Sequence, residues 1–149
     1  LLACGSQSLE WRRIEAAILN VGQDFDWTTT PYEVGLDWML DFDKGPFVGR
    51  EALQNASLAK PSRKLIGLET DLEEPAPLAS SVIASGVPVG IVASAVRSPT
   101  LEKGIALAMV RREFADVGTH LQISSGHYNC DAVVVSTPFV DPERKLAKM

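Results

Sequence analysis

The sequence has few of the residues that build disulfide frameworks and metal sites. Its 149 residues include two cysteines and two histidines. Cys4 and Cys130 lie far apart in sequence, so they predict no disulfide framework, and a reducing compartment is the simpler expectation. His127-x-x-Cys130, with His120 upstream, supplies only one closely spaced pair of ligand types. Structural zinc needs four ligands, usually in two such pairs, so we predict no metal site.

Long apolar runs and an excess of basic charge are also missing. No apolar run approaches the roughly 20 residues that a membrane-spanning helix needs, so no membrane partner is expected. Lys and Arg total 14 against 19 Asp and Glu, for a net charge of −5. This balance disfavours nucleic acid as a partner. The chain is 46% hydrophobic and 22% charged, which is typical of a globular protein. We expect it in the cytoplasm, or in the mitochondrial matrix in a eukaryote.

The chain lacks an initiator methionine, because it begins Leu1-Leu2-Ala3-Cys4. No charged segment precedes a long apolar stretch here, so the start does not resemble a signal peptide. We interpret it as a chain that begins inside a longer protein.

The stretch Leu58-Ala59-Lys60-Pro61-Ser62 resembles a linker, because Pro61 ends a preceding helix. It divides the chain into residues 1–61 and 62–149. The sequence of residues 1–61 predicts four elements, namely two longer helices, one short capped helix and one strand. Residues 8–19 favour a helix, although residues 13–19 also fit a strand. The other three predictions are a short helix capped by Thr30 and Glu33, a strand over residues 38–43 and a surface helix over residues 49–56.

The second part predicts antiparallel β-structure throughout. Hairpin signals at Ser85-Gly86 and Ser125-Gly126 separate short runs of β-branched residues. Gly90 inside a strand indicates a bulge or a bend. Six strands separated by glycine turns favour a small barrel or a sandwich. The predicted strands cover residues 64–69, 81–84, 87–93, 105–111, 120–124 and 128–136.

Composition and spacing alone offer few candidates for chemistry. The sequence contains no glycine-rich phosphate loop and no nucleophile elbow. We expect the clustered carboxylates to be solvated, as most such clusters are. They are Asp24, Asp26, Glu33, Asp37, Asp41 and Asp43. Glu15 stands in an apolar run, where it is either exposed, the more common outcome, or held in a pocket to accept hydrogen bonds from a ligand.

Several collinear blocks resemble the glycine-cleavage T-protein (aminomethyltransferase) family, and they cover nearly the whole chain. The same blocks occur in the folate-binding halves of dimethylglycine and sarcosine dehydrogenases, which residues 138–143 resemble more closely. The blocks include Arg13-Ile14-Glu15-Ala16, Gly22-Gln23-Asp24-Phe25, residues 29–38, residues 43–53, residues 63–68, Gly86-x-x-x-Gly90, Ser98-Pro99-Thr100-Leu101 with residues 105–108, and residues 138–143. A related branch in iron–sulfur maturation carries Lys-Gly-Cys-Tyr, whereas this chain has Lys44-Gly45-Pro46-Phe47, so that branch is disfavoured.

The resemblance implies an α+β fold, with the end of a ferredoxin-like folate-binding region followed by a small antiparallel β-barrel. It also implies tetrahydrofolate as the cofactor, whose N5 nitrogen captures a one-carbon unit from an aminomethyl or N-methyl donor. By position, Glu15 would accept hydrogen bonds from the pterin edge, which a carboxylate suits. Arg63 would meet the carboxylates of the folate tail, and Lys44 would lie near the same opening.

Two departures from the family pattern limit what carries over. Val21 stands where many relatives have an aromatic residue before the Gly22-Gln23-Asp24 block. Trp27 either supplies an aromatic face for folate instead or packs on the barrel as a loop tryptophan. The family's catalytic aspartate is expected upstream of residue 1, so no catalytic residue and no one-carbon donor is assigned.

These observations support two main hypotheses about function. The first is the C-terminal portion of a tetrahydrofolate-dependent aminomethyltransferase, inactive by itself. The alternative is a non-catalytic barrel module that binds folate or a protein partner, because function resides in sites and not in folds. Association with a missing N-terminal portion, or self-association, is a further expectation.

Overall fold

The structure is a computed structural model that describes residues 4–72, 74–143 and 145. Residues 1–3, at the unusual start of the sequence, lie outside the described residues. Two helices and a 3₁₀ turn precede six strands. Their bounds are α1 Ser6–Glu15, the 3₁₀ turn Asp37–Met39, α2 Arg50–Ala59, β1 Arg63–Thr70, β2 Ser81–Ala84, β3 Val87–Ser98, β4 Lys103–Arg111, β5 His120–Ser125 and β6 Tyr128–Val135, with a second 3₁₀ turn at Arg112–Phe114 after β4.

The six strands form a closed antiparallel barrel in the order β1-β4-β3-β2-β5-β6. The predicted barrel and the α+β fold class are therefore confirmed. The register of β2 on β3 shifts between the pairs Val82–Gly90 and Ile83–Pro88, which is the irregularity that Gly90 predicts. A Cβ at Gly90 would lie 2.4 Å from the backbone oxygen of Met109. Only glycine lets β3 and β4 approach this closely.

The barrel interior and the outer face of β4 form two separate apolar clusters. Alternate residues of the strands fill the interior, as the two-residue period requires. They include Leu68, Val82, Val92, Ala108, Val110, Ile123 and Val134. On the outside, Ile14 from α1 packs with Val96 and Ile105, and all three are buried. Because α1 covers its outer face, β4 is buried on both sides along most of its length.

The helix α1 resolves the ambiguity of residues 8–19, because it ends at Glu15 instead of continuing as a strand. Ala17 has a φ of 52°. The amide of Ile18 donates to the Arg13 carbonyl at 2.7 Å, and that of Ala17 donates to the Ile14 carbonyl at 2.9 Å. These two bonds form a Schellman termination, in which glycine is the usual residue at the left-handed position. Alanine at that position hides the signal in the sequence.

Two local predictions in the first part are wrong. Residues 31–35 form turns instead of a short helix, although Glu33 does reach back to the Thr30 amide as a capping residue would. The predicted strand over residues 38–43 is absent, and a 3₁₀ turn begins at Asp37. Trp38 is 68% exposed, so the alternation of large and acidic residues does not mark a half-buried face. The predicted surface helix is confirmed as α2, which extends to Ala59 before Pro61.

Candidate functional site

The last turn of α1 carries three buried side chains that point in different directions. Ile14 enters the outer apolar cluster, while Arg13 and Glu15 remain buried as charged residues at 8% and 2% exposure. A helix turns by about 100° per residue, so Arg13 and Glu15 lie on either side of the Ile14 contact. The exposure favoured for Glu15 from the sequence is therefore wrong.

The two carboxylate oxygens of Glu15 have different surroundings. Its Oε1 accepts the Ser98 hydroxyl at 2.5 Å and the Thr100 amide at 3.3 Å. Its Oε2 is buried without a hydrogen-bond partner among the residues that the structure describes. A buried carboxylate oxygen without a donor is destabilising by about 1–3 kcal/mol or more. Oε2 can therefore accept a donor from outside the described residues.

Glu15 lines a cleft of about 860 Å³ between α1 and the segment that follows β6. The two sides are joined at its edge, because the Val140 amide donates to the Glu15 carbonyl at 3.1 Å. Apolar and charged side chains share the walls, as in many small-molecule sites. The lining includes Leu9, Ile18, Pro138 and Val140, together with Glu10, Arg12 and Arg13.

A buried polar network beside Glu15 fastens the first part of the chain to β3. Arg13 Nη1 donates to Asp24 Oδ2 at 2.8 Å, and its Nη2 donates to Ser94 Oγ at 2.9 Å. The Ser94 hydroxyl in turn donates to Asp24 Oδ1 at 2.5 Å. Arg13 also pairs with Glu10, and that hydrogen bond lowers the pKa of Glu10 below its ordinary value. Asp24 is 3% exposed, so its predicted solvation is wrong.

Arg63 lies in a second, smaller cleft of about 370 Å³. Its Nε donates to Glu33 Oε1 at 2.6 Å, and its Nη2 lies 3.3 Å from Thr28 Oγ1. Burial alone would raise the pKa of Glu33, but hydrogen bonds from the Thr30 amide and Arg63 lower it below its ordinary value. Glu33 is 7% exposed, so it too departs from the solvated cluster predicted from the sequence.

Ser98, beside Glu15, and Arg63 lie next to opposite ends of β4. Ser98, which contacts Glu15, pairs with Lys103, whereas Arg63 pairs with Arg111. Eight residues of strand separate these positions, which is about 25 Å at 3.3 Å per residue. Arg13 lines the first cleft and Asp24 the second, so their ion pair lies between the two.

Trp27 and Lys44, the remaining predicted site residues, do not line the larger cleft. Trp27 is 98% exposed, which is incompatible with its alternative role as a tryptophan packed on the barrel. Lys44 Nζ lies 4.6 Å from the ring centroid of Phe47, within cation–π distance. Of the four residues predicted to bind the cofactor, the structure places only Glu15 in the larger cleft.

The sequence reasoning missed the partners that hold Glu15 and Arg13. Ser94 and Ser98 are both 0% exposed on β3, four residues apart and therefore on the same face of the strand. The signal for Ser98 was the block Ser98-Pro99-Thr100-Leu101, which was recognised as a match without a role. Ser94 carried no signal, because β3 was expected to end at Ala93.

Comparison with known proteins identifies the family. Residues 63–141 match the family described as "Glycine cleavage T-protein C-terminal barrel domain". The chain belongs to this family. An aminomethyltransferase of Rippkaea orientalis is 39% identical over 137 residues, which cover 91% of this chain and 37% of that protein. An aminomethyltransferase of Thermosynechococcus vestitus is 41% identical over 146 residues, which cover 98% of this chain and 40% of that protein.

A solved structure gives the same result. The crystal structure of glycine cleavage system aminomethyltransferase T from Bartonella henselae superposes with a TM-score of 0.85 at 25% identity, over 92% of this chain and 39% of that one. The chain thus spans about two fifths of the length of the curated relatives it matches. The predicted resemblance to the T-protein family is confirmed.

The described residues form neither a metal-ligand group nor a membrane-spanning helix. In residues 4–72, 74–143 and 145, no three His, Cys, Asp or Glu side chains form a group suited to a metal ion. None of the helices in this part of the chain is long and apolar enough to cross a bilayer.

Proposed function

We propose that this chain is the barrel-containing portion of a tetrahydrofolate-dependent aminomethyltransferase and that Glu15 grips the pterin ring. The observation that carries the proposal is the buried Oε2 of Glu15, which has no donor among the described residues, in a residue that lines the larger cleft. Family membership supports the same reading, since the relatives are aminomethyltransferases.

The donor pattern of a pterin fits this carboxylate. The pterin edge resembles a guanidine and presents a ring N–H beside an amino group, and a carboxylate accepts such parallel donors well. An ionised carboxylate has about four lone-pair sites. Two donors already occupy Oε1, so the two lone-pair sites of Oε2 are the ones open to the pterin N–H and amino groups.

Tetrahydrofolate, when bound, supplies the N5 nitrogen that accepts the one-carbon unit. The contribution of Glu15 would be to bind and orient the ring, so that the reacting atoms are held close together. We assign no catalytic residue within the chain. We therefore expect the purified 149-residue chain to have no transferase activity, and tetrahydrofolate-dependent turnover by it would contradict this expectation.

A titration of tetrahydrofolate against the chain by calorimetry tests the role of Glu15. Glu15→Gln keeps the shape of the side chain but removes its charge and replaces one acceptor oxygen with a donor. We expect affinity to fall by about 10- to 100-fold, as for the loss of a hydrogen bond to a charged group. Glu113→Gln is the matched control, because Glu113 is an exposed carboxylate after β4, and we expect it to bind as the unchanged chain does.

Equal affinity of the unchanged chain and Glu15→Gln would remove Glu15 from the pterin role. No saturable binding by the unchanged chain would favour the non-catalytic module instead.

Arg63 remains a proposed contact for the carboxylate-bearing folate tail. Because Arg63 Nε already donates to Glu33, only the remaining guanidinium N–H groups of Arg63 can donate to an anion. Comparing tetrahydrofolate with tetrahydropteroate, which lacks the glutamate, isolates the tail. We expect Arg63→Gln to lose most of the preference for the glutamate-bearing ligand, whereas the nearby Arg111→Gln keeps it. A preference that survives in Arg63→Gln would exclude this role.

We propose Trp27 and Lys44 as secondary contacts, Trp27 through stacking on folate. The exposure of Trp27 leaves its ring open to a planar ligand. Quenching of tryptophan fluorescence by tetrahydrofolate in the unchanged chain, but much less in Trp27→Phe, is the expected result. Equal quenching in both would exclude Trp27. For Lys44, we expect Lys44→Gln to weaken tetrahydrofolate binding about two- to threefold, and an unchanged affinity would exclude it.

An interaction module is the second candidate, and exposed apolar side chains favour it. Leu9, Ile18 and Val21 are 71%, 62% and 69% exposed near the larger cleft. Apolar surface of this kind favours association, either with a separate N-terminal portion or with a second copy. Light scattering at high concentration tests self-association, and a monomer at all concentrations would count against it. We also propose that the protein is located in the cytoplasm, or in the mitochondrial matrix in a eukaryote.

A further inference from the structure

The turn between β3 and β4 restrains the Glu15 carboxylate. Ser98 is the last residue of β3 and is 0% exposed. Its hydroxyl donates to Glu15 Oε1 at 2.5 Å, across 83 residues of sequence. The Thr100 amide donates to the same oxygen at 3.3 Å. Two donors from the same turn therefore converge on one oxygen of the carboxylate and leave the other for a different donor.

The turn also sets the direction of the Ser98 hydroxyl. The Leu101 amide donates to Ser98 Oγ at 3.0 Å, which occupies the acceptor side of that oxygen. A serine hydroxyl has one proton to donate, and here it goes to Glu15. Pro99 has no N–H, so the turn offers only the amides that follow it. The Glu102 amide closes the turn on the Ser98 carbonyl at 2.9 Å.

We infer that Ser98 is a positioning residue that holds Glu15 Oε1 so that Oε2 is the oxygen presented to the donor edge of the ligand. This inference rests on the proposed function of Glu15. The terminal torsion of a glutamate is broad and roughly two-fold, so an unrestrained carboxylate loses freedom when a ligand binds. A carboxylate that the protein has already fixed loses less, and its affinity is higher for that reason.

Ser98→Ala removes the donor without adding volume. We expect tetrahydrofolate affinity, measured by calorimetry, to fall about tenfold, which is the lower range for a hydrogen bond to a charged group. A second ligand separates positioning from general damage to the site. A tetrahydrofolate analogue with a methyl group in place of the pterin 2-amino group lacks one of the donors that Glu15 would accept. Because the effect of Ser98 acts through that edge, affinity for the analogue should fall less than threefold.

Ser80→Ala is the matched control for loss of a buried serine hydroxyl. Ser80 is 1% exposed, and its Oγ donates to the Pro77 carbonyl at 2.5 Å, away from α1. We expect both serine variants to lose similar stability in urea, while only Ser98→Ala changes tetrahydrofolate affinity. A Ser98→Ala protein that weakens both ligands equally would show a structural role only and overturn the inference.

The Glu15→Gln titration distinguishes failure of the inference from failure of the proposed function. If Glu15→Gln binds weakly while Ser98→Ala binds as the unchanged chain does, the positioning role is overturned and the pterin role stands. If Glu15→Gln binds as the unchanged chain does, or if the unchanged chain does not bind at all, both are overturned.

Discussion

Removal of the Asp24 carboxylate is expected to destabilise the chain strongly, because it leaves buried groups without their acceptor. The Asp24 carboxylate accepts three hydrogen bonds, from Arg13 and the Asn20 amide at Oδ2, both at 2.8 Å, and from the Ser94 hydroxyl at Oδ1. Its side chain is 0% exposed and that of Arg13 is 9% exposed. Asp24→Ala therefore removes an acceptor from the buried Arg13 guanidinium and from the buried Ser94 hydroxyl.

Breaking a buried ion pair by removing one partner destabilises by about 3–5 kcal/mol. Arg13 keeps its pair with Glu10, so the lower end of that range applies, about 3 kcal/mol. With a urea m-value of about 2 kcal/mol/M, the unfolding midpoint should fall by about 1.5 M. The exposed Asp37→Ala is the control and should change the free energy of unfolding by less than about 0.5 kcal/mol.

The double variant Asp24→Ala with Ser94→Ala tests whether the network acts as a unit. Its loss of stability should be smaller than the sum of the single losses by at least about 0.5 kcal/mol, because the two variants remove the same hydrogen bond. A loss below about 1 kcal/mol for Asp24→Ala alone would refute this reasoning, since the pair would then contribute no more than a surface ion pair.

Three further results are expected. Gly90→Ala should destabilise by about 3 kcal/mol in urea, because the added Cβ meets the backbone of β4, whereas Gly86→Ala has open space and should lose about 1 kcal/mol through its positive φ; equal losses would contradict the close approach. Because the pKa of Glu33 is lowered in the fold, its stabilisation is present above about pH 4 and is lost as the pH falls below that value. In Glu33→Gln, the free energy of unfolding should therefore depend less on pH below about pH 4. An unchanged pH dependence would contradict this stabilising role of Glu33. Trp27→Ala should leave stability within about 0.5 kcal/mol, and a larger loss would show that its ring packs on the fold.

The sequence predicted the barrel well because its signals are local. Glycine hairpins and β-branched runs give strand positions directly. Five strands lie within two residues of their expected bounds, while β3 extends five residues beyond its expected end at Ala93. The first part was harder, because it forms few regular elements. Residues 38–43 alternate like a strand, but a strand needs a partner for its backbone groups, and local sequence does not report whether one is nearby.

The candidate site was only partly predictable. Resemblance singled out Glu15, while burial statistics favoured its exposure. Arg63 was also singled out, but nothing in the sequence indicated that Glu33 would hold it. The pairing of Asp24 with Arg13 was hidden for a similar reason, since clustered carboxylates look alike in sequence whether they are solvated or buried.

The family resemblance and the barrel could both be recognised from the amino-acid sequence. Strand periodicity, turn residues and the order of the family-like blocks are properties of the sequence, and recognising them requires no three-dimensional contact. The surroundings of the Glu15 carboxylate, in contrast, follow from the three-dimensional contacts. Its burial, its two donors on one oxygen and the open capacity of the other depend on a turn more than 80 residues away, and contacts over that separation arise only when the barrel closes beneath α1.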